Sequence, residues 1–557
     1  MEKIILYQIF TRLFGNATIT NIPNGSITEN GCGKFNAFTA KVLKNIKQLG
    51  ITHVWYTGII EHATQTNYTN FGIEEDPKSM VKGKAGSPYA IKDYYDVDPD
   101  LAVNVNHRMK EFENLVTRTH KAGLKLVIDF VPNHVARHYH SDAKPANVSD
   151  FGENDRNDWH FYQQNNFYYC PNTSLEPQFD AQDYVEYPAK ATGNDCFSAN
   201  PTQNDWYETV KLNYGIDYTG GNQKQFEPTP NTWFKMRDIL LFWAAKQVDG
   251  FRCDMAEMVP VEFWQWVIPQ VKAKFPDVIF IAEVYNPALY RSYIYDGGFD
   301  YLYDKVGLYD QLRAVICDND SATKLSTCWQ TVSDIQPHML NFLENHDEQR
   351  IASEFFAGQA VKGKAGMIVA SCMNTNPVMI YAGQELGEPG MEEEGFSGHD
   401  GRTTIFDYWH VDTLGRWYNQ GKIGNTNLTK AERELQSFYT QLLNSCTKEK
   451  ALSEGTFFDL MYANMGRGDF DEHRQYAFLR TFKNEVIVVI ANFSEQSKQI
   501  AINIPQHAFD YLQLEPQNTC EAIDLLTNDV EHISFSPTQP IETYMPPLGG
   551  KLLKIKL

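Results

Sequence analysis

The chain has 557 residues, of which 42% are hydrophobic and 21% charged, so it is long enough for two or three folded domains. Its net charge of −21 argues against a nucleic-acid backbone or an anionic membrane as a partner and suits a neutral ligand. The start lacks the apolar segment of a secretory signal, no stretch approaches a membrane span, and the nine cysteines form no CxxC pairs. We therefore expect a cytoplasmic protein with reduced thiols.

The first 130 residues alternate strand-like apolar runs with helical patterns. Strands are predicted over residues 4–10, 51–56 and 124–130, and helices over 38–49 and 109–122, with a glycine directly after each helix. This alternation predicts βαβ units, in which a parallel sheet lies inside and the helices lie outside.

The alternation stops between residues 134 and 230, where no long periodic segment appears. About a hundred irregular residues are too many for a plain loop in a compact barrel, so we interpret this stretch as an inserted subdomain. The alternation resumes with a helix over 232–246 and continues through further strands to one over 377–381.

After about residue 436 the pattern changes to strands alone. Apolar runs over 476–482 and 485–493 flank Lys483-Asn484, which is typical of a β-hairpin. The whole chain is therefore predicted to be an α/β protein of three parts. These are a (β/α)₈ TIM barrel over 1–133 and 231–435, an inserted subdomain over 134–230 after the third strand, and a C-terminal antiparallel β-sandwich over 436–557.

Three carboxylates, those of Asp254, Glu283 and Asp347, end predicted barrel strands. The carboxyl ends of barrel strands meet at one mouth, where such barrels build their sites. Two carboxylates that flank one bond are the minimal apparatus for cleaving a glycosidic linkage. Each acid alone could equally be a structural or solvent-facing residue, and it is their combination that favours a glycosidase.

Arg252 lies two residues before Asp254, so both side chains point to the same face of a strand. A guanidinium there would keep the carboxylate of Asp254 ionised, as a nucleophile must be, although a buried structural ion pair gives the same pattern. Glu283 follows an apolar run, a setting that favours the protonated form that a general acid needs. The two carboxylates are thus predicted to have different roles.

The third predicted strand ends in a polar cluster that contains Asp129, Asn133 and His134. Such a cluster is compatible with catalysis, with metal binding or with a turn that caps its own backbone. The residues of this segment alone leave the three alternatives open.

Together with three further segments, over 250–254, 282–284 and 345–347, the segment 129–134 resembles the signature of the α-amylase family, glycoside hydrolase family thirteen. Additional matches lie over residues 7–10, 88–94, 381–385 and 401–407. The resemblance covers the whole barrel and the position of the insertion. It implies the barrel fold and cleavage of α-glucosidic bonds with retention of configuration.

The resemblance also implies roles for single residues. Asp254 matches the nucleophile, Glu283 the acid that later serves as base, and Asp347 the carboxylate that stabilises the transition state. The matched substrate-binding residues are Tyr89, Asp129, His134, Arg252 and His346.

The chain departs from the family after the nucleophile, where a common Lys-His pair is replaced by Glu257 and Met258. In the family that histidine gives calcium a main-chain carbonyl oxygen, so the replacement weakens the case for calcium but leaves the carbonyl in place. Asn133 is the candidate calcium ligand in this chain. The acids of the insertion that would join it are Asp150, Asp155 and Asp158.

We expect hydrolysis of α-1,4-glucosidic bonds in maltooligosaccharides, starch or glycogen, with an α-glucan as the partner and no required cofactor. A transglycosylase with the same covalent intermediate is the first alternative. A catalytically silent carbohydrate-binding protein on the same fold is the second, and the intact set of Arg252 and the three acids argues against it.

Overall fold

The computed structural model describes residues 3–390 and 398–556. Its centre is a sheet of eight parallel strands in the spatial order β7-β6-β5-β4-β3-β2-β1-β8, and a parallel bridge between Asn341 and Val378 brings the two edges together. The strands are β1 (Ile5–Phe10), β2 (His53–Thr57), β3 (Lys125–Phe130), β4 (Gly250–Cys253), β5 (Ile279–Ala282), β6 (Tyr301–Tyr303), β7 (Met339–Leu340) and β8 (Val378–Tyr381). The predicted barrel is confirmed.

A helix follows each barrel strand and covers its outer side. Helix α1 shows how the sequence builds such an element: the hydroxyl of Thr39 accepts the Val42 N–H at its start, and Val42, Leu43 and Ile46 are buried on one face. The eight helices are α1 (Ala40–Gln48), α2 (Arg108–Lys121), α3 (Asn231–Ala245), α4 (Val261–Lys274), α5 (Tyr290–Tyr295), α6 (Asp310–Cys317), α7 (Gly363–Cys372) and α8 (Lys430–Lys448).

Helix α8 runs across residue 435, where we predicted the barrel to end. A capping box of Thr429 and Glu432 starts this helix, and its buried residues continue to Cys446. This helix therefore extends to Lys448, two short helices follow at Lys450–Ser453 and Gln506–Leu512, and the domain limits stay predictions.

The strands of the insertion after β3 are only two or three residues long, so they create no periodic pattern in the sequence. They pair as His134–Ala136 with Thr209–Lys211, Tyr169–Cys170 with Ala189–Lys190, and Ile216–Asp217 with Gln223–Lys224. The first of these pairs begins four residues beyond β3, so the insertion lies directly beside the mouth of the barrel.

The C-terminal part contains eight antiparallel strands in a six-stranded and a two-stranded sheet, whose spatial orders are β9-β10-β11-β16-β13-β14 and β12-β15. The predicted hairpin at Lys483-Asn484 joins β10 and β11. The strands are β9 (Thr456–Asp459), β10 (Gln475–Phe482), β11 (Glu485–Asn492), β12 (Lys498–Ile502), β13 (Gln517–Asp524), β14 (Val530–Phe535), β15 (Ile541–Met545) and β16 (Gly549–Ile555).

Within the two described ranges, no helix combines the length and the apolar character needed to cross a lipid bilayer. The cytoplasmic location stays a prediction.

Candidate active site

The two central carboxylates stand at the ends of adjacent barrel strands. Asp254 follows β4 directly and donates its N–H to the carbonyl of Phe130 at 2.9 Å, while Glu283 follows β5 and donates its N–H to the carbonyl of Cys253 at 3.1 Å. These bonds extend the hydrogen-bond ladder between the parallel strands by one residue on each strand. The backbone therefore fixes both side chains at the same edge of the barrel.

The guanidinium of Arg252 joins the predicted acids. Its Nη1 lies 2.7 Å from Oδ1 of Asp254, and its Nη2 lies 2.8 Å from Oε2 of Glu283. Oδ1 of Asp129, which is opposite Arg252 in the register of β3 and β4, lies 3.6 Å from Nη1. Arg252 is fully buried and donates from Nε to the hydroxyl of Tyr303 at 3.2 Å. One cation thus links three carboxylates, which is more than an isolated structural pair requires.

Glu283 is surrounded by hydrogen-bond donors. Its Oε1 accepts the hydroxyl of Tyr285 at 2.5 Å, and its Oε2 accepts the N–H of Met255 at 2.8 Å in addition to the contact with Arg252. The apolar setting predicted for Glu283 is therefore wrong at the carboxylate, because the apolar residues lie in β5 and the side chain leaves the strand. Met255 adopts a φ of +42°, a strained backbone conformation next to both acids.

Burial changes the protonation of the acids. It raises the pKa of Asp254 well above its ordinary value, with Arg252 opposing the rise and Glu283 adding to it. It also raises the pKa of Asp347 to about 7 and that of Asp129 to about 6. This direction is opposite to the prediction that Arg252 keeps Asp254 ionised, because one guanidinium is shared among several buried carboxylates.

His346 connects Asp347 to the first strand. Its Nε2 lies 2.5 Å from the hydroxyl of Tyr89 and 3.1 Å from Oδ2 of Asp347, and its Nδ1 lies 2.8 Å from the amide nitrogen of Gln8. Burial holds the pKa of His346 well below its usual range, so the ring is neutral. The ring of Tyr89 stacks on the imidazole with centroids 5.2 Å apart. Gln8 lies in the matched segment 7–10 but was not predicted as a site residue, and a polar side chain in an otherwise apolar strand was its signal.

His134 borders the site from the insertion side. Its Nδ1 lies 3.1 Å from the amide nitrogen of Asn133, and its ring meets that of Trp206 with centroids 5.3 Å apart. Burial lowers the pKa of His134 to about 3, and Lys211 lowers it further. A neutral imidazole at this position can hydrogen-bond a hydroxyl group without adding charge.

A cavity of about 440 Å³ contains the predicted residues together with others. Five of the predicted residues line it, namely Tyr89, His134, Asp254, Glu283 and Asp347. The lining residues that the sequence did not reveal are Lys82, Ser87, Trp206, Glu208, Thr209, Met255, Tyr285, Ile405 and Phe406. Most of these lie in the insertion or in loops after strands, where no pattern separates a lining residue from a solvated one.

A second cavity, of about 640 Å³, lies between residues 323–330 and the C-terminal part. Asp459 is the one carboxylate among its lining residues, and its Oδ2 already accepts bonds from Ser326, Trp329 and Tyr476. Paired acids are therefore a feature of the cavity at the barrel mouth.

An eight-stranded barrel that gathers three carboxylates around one arginine at its mouth, with a fourth carboxylate lining the same cavity, is the framework of an enzyme that cleaves glycosidic bonds. Residues 8–446 match the family model described as the alpha amylase catalytic domain. The chain belongs to the α-amylase family, a family of glycoside hydrolases.

Two relatives and one solved structure illustrate the similarity. Alpha-amylase MalA of Haloarcula japonica is 22% identical over 509 residues, which cover 90% of this chain and 57% of that relative, so this chain spans little more than half of it. Alpha-amylase 3 of Dictyoglomus thermophilum is 23% identical over 479 residues, covering 82% of this chain and 79% of that one. The α-amylase of Geobacillus thermoleovorans, solved with acarbose, aligns with a TM-score of 0.64 at 18% identity over 100% of this chain and 98% of that one, a likeness of fold.

Two of the three acids predicted to join Asn133 around calcium have other partners. Asp150 pairs with Lys144 at 2.7 Å, and Asp155 accepts the N–H groups of Asn166 and Phe167. Asp158 is exposed. Among the described residues, no group of three or more histidines, cysteines and acids is arranged to hold a metal ion.

Proposed function

We propose that this protein hydrolyses α-glucosidic bonds with retention of configuration, acting mainly on α-1,4 linkages of maltooligosaccharides or starch-type glucans. The observation that carries the proposal is the shared guanidinium: Arg252 contacts Asp254 at 2.7 Å and Glu283 at 2.8 Å, at the ends of adjacent strands. Sharing one guanidinium keeps the two carboxylates near each other, and a retaining enzyme needs its nucleophile and its acid about 5–5.5 Å apart, with no room for a water molecule between nucleophile and sugar.

In the first half of the reaction, an oxygen of Asp254 attacks the anomeric carbon while Glu283 gives its proton to the leaving oxygen. The glycosidic bond breaks and a covalent glycosyl–Asp254 ester forms. A proton on Glu283 also removes a negative charge beside Asp254. Arg252, which opposes the rise in the pKa of Asp254, then holds that side chain as the carboxylate that attacks.

In the second half, Glu283 takes a proton from a water molecule, and the water oxygen attacks the same carbon. The ester to Asp254 breaks and the carboxylate is restored. Two inversions at one carbon return the original α configuration. The hydroxyl of Tyr285 and the N–H of Met255, both bonded to Glu283, hold its carboxylate in position for this step.

The walls of the cavity support a neutral sugar as the substrate. Asp347, with the buried His346 3.1 Å behind it, forms a polar side, and the rings of Tyr89, Trp206 and Phe406 offer apolar faces to a pyranose ring. The acarbose complex of the Geobacillus relative supports oligosaccharides as the ligand class.

Trapping the intermediate tests this proposal. A 5-fluoro-α-glucosyl fluoride should inactivate the protein with time and add one glycosyl unit to the peptide that contains Asp254, as mass spectrometry of a digest would show. The Asp254→Asn variant is the matched control and should stay unlabelled. Label on any other residue would overturn the assignment of the nucleophile.

Product analysis separates hydrolysis from transfer. With maltotriose as substrate, a hydrolase releases glucose and maltose and one new reducing end for each bond cleaved. Products longer than maltotriose, formed without a matching rise in reducing ends, would contradict hydrolysis and favour a transglycosylase.

A further inference from the structure

A buried ammonium group lies where the insertion meets the barrel. Lys211, which is 2% exposed, ends the short strand Thr209–Lys211. Its Nζ lies 2.5 Å from Oδ1 of Asn133, 2.7 Å from Oδ1 of Asp195 and 3.4 Å from the carbonyl oxygen of Met258. These three oxygens come from the end of β3, from the insertion and from the loop after β4. One side chain thus ties three separate segments together.

The oxygens around Lys211 are of the kinds that a hard divalent cation prefers. A side-chain amide, a carboxylate and a main-chain carbonyl are typical calcium ligands, and calcium holds such oxygens at about 2.3–2.6 Å. In this chain the Nζ of Lys211 lies 2.7 Å from Oδ1 of Asp195 and 3.4 Å from the carbonyl oxygen of Met258, distances longer than those of calcium ligands. Asn133 and the carbonyl at Met258 are also the two positions at which the sequence pointed to calcium. The oxygen ligands that a cation would need are present, and the ammonium group of Lys211 occupies the space between them.

The neighbouring contacts keep this arrangement in place. Nδ2 of Asn133 donates to the carbonyl of Gly193 at 2.8 Å, which turns Oδ1 of Asn133 towards Lys211. The positive charge of Lys211 is balanced by the single charge of Asp195. Among the described residues, Asp195 is the one carboxylate paired with Lys211, so a divalent cation beside the ammonium would add charge without a second paired carboxylate to balance it.

We infer that Lys211 takes the place of a structural divalent cation, so that the junction of insertion and barrel holds together without calcium. The residues do not fit a bound calcium ion as long as Lys211 is present. Removing the side chain would free the three oxygens and convert the junction into a site that needs a cation. The inference concerns the fold and does not depend on which glucan is cleaved.

Thermal unfolding of the full chain tests the inference without any measurement of activity. The melting temperature of the unchanged protein should be the same after treatment with EDTA and after addition of millimolar CaCl₂. Isothermal titration with CaCl₂ should detect no binding. A fall in melting temperature with EDTA, reversed by calcium, would overturn the inference even if no variant can be made.

Variants sharpen the test. Lys211→Ala should lower the melting temperature by roughly 3–6 °C, because it removes a buried charged hydrogen-bond donor from three acceptors. Calcium should restore most of this loss in a saturable way and should bind with one site per chain. Asp195 is 37% exposed, which gives the ion a route into the vacated space.

Two controls distinguish a specific site from general stabilisation by calcium. Lys190→Ala removes another lysine of the insertion, one that pairs with Glu186 at 3.2 Å, and calcium should not rescue it. Adding Asp195→Asn to Lys211→Ala removes the carboxylate ligand and should abolish the rescue. A Lys211→Ala protein that is destabilised and gains nothing from calcium would contradict the inference.

Discussion

The hydroxyl of Tyr285 donates a hydrogen bond of 2.5 Å to Oε1 of Glu283, two residues before it. The other carboxylate oxygen, Oε2, is occupied by the N–H of Met255 and the guanidinium of Arg252. Oε1 is therefore the oxygen from which a proton can pass to a leaving group without breaking the contact with Arg252. Tyr285 acts on the reaction through the position of that oxygen.

We predict that Tyr285→Phe lowers kcat/KM for maltotriose by about 10-fold, since a hydrogen bond to a charged group contributes roughly 1.5 kcal/mol or more. The loss should be smaller for an aryl α-glucoside with an acidic phenol as leaving group, because its departure needs little protonation. Rates for the two substrates, measured side by side, check this prediction.

Tyr295→Phe is the matched control for Tyr285→Phe, since Tyr295 lies on α5 with 60% of its side chain exposed. It should leave both rates unchanged. Equal losses on the two substrates in Tyr285→Phe would show that the hydroxyl serves binding and does not position the acid.

The sequence predicted the parts of the site that belong to regular elements. Asp254 and Glu283 end apolar runs that became β4 and β5, and an acid after such a run must emerge at the mouth of a parallel barrel. The pairing of Arg252 with Asp254 followed from their spacing of two along a strand.

The remaining site residues depend on contacts between segments far apart in the chain. Trp206 and Glu208 lie in an insertion whose strands have two or three residues, too few to create a periodic pattern. The role of Lys211 depends on Asn133, 78 positions earlier, and on Met258, 47 positions later. No local pattern in a single sequence predicts contacts between residues so far apart. The direction in which the pKa of Asp254 shifts could not be predicted either, because it depends on how many acids share one arginine.

Asp347 gives the protein a predictable dependence of stability on pH. Its pKa in the folded protein is raised to about 7 from an ordinary value of 3.8, mainly by burial and by Glu283. Between these values the folded state binds more protons than the unfolded state. The contribution of Asp347 to stability is therefore fully present at low pH and is lost as pH rises to about 7.

We predict that Asp347→Asn removes the loss of stability that Asp347 causes as pH rises, because an amide does not titrate. The melting temperature of the variant minus that of the unchanged protein should increase between about pH 5 and pH 7.5 and then stay constant. Thermal unfolding in buffers matched for ionic strength measures the difference. Asp510→Asn, at an exposed position in the C-terminal part, should show no such slope. A difference that shrinks as pH rises would contradict the raised pKa.

Lys82 and Glu208 form an ion pair across the cavity. Nζ of Lys82 lies 3.1 Å from Oε1 of Glu208, and both residues line the cavity that Asp254 and Glu283 also line. The pair joins the loop after β2 to the insertion. It therefore shapes the space available to the sugar units away from the bond that is cleaved.

We predict that Lys82→Met raises KM for maltotriose about fivefold and changes kcat by less than about twofold. The ion pair shapes the space for sugar units away from the cleaved bond, and the binding of those units is the same in the ground state and the transition state. Lys84→Met is the control in the same loop, since Lys84 bonds Gln65 at 3.1 Å and does not line the cavity. Initial-rate kinetics over a range of maltotriose concentrations provide the measurement. A large fall in kcat with constant KM would assign the ion pair to the chemical step instead.

In the proposed mechanism, Asp254 and Glu283 act on opposite faces of the sugar, and small anions can test this difference. Asp254 would attack the anomeric carbon from the β face, whereas Glu283 would serve the α face, where the leaving group departs and water arrives. An azide ion is small enough to enter the space left by either side chain when it is replaced by alanine.

We predict that Asp254→Ala loses at least about 10⁴-fold in kcat, since the covalent route is lost. With an aryl α-glucoside, azide should restore part of the rate and yield the β-glucosyl azide, because it attacks in place of Asp254 in a single inversion. Glu283→Ala still forms the ester on Asp254 from this activated substrate, and azide then opens it from the α face to give the α-glucosyl azide. NMR of the anomeric proton distinguishes the two products. If both variants gave the same anomer, the division of roles between Asp254 and Glu283 would be contradicted. Azide gives opposite anomers only if it enters from opposite faces of the sugar, in the spaces left by the two side chains.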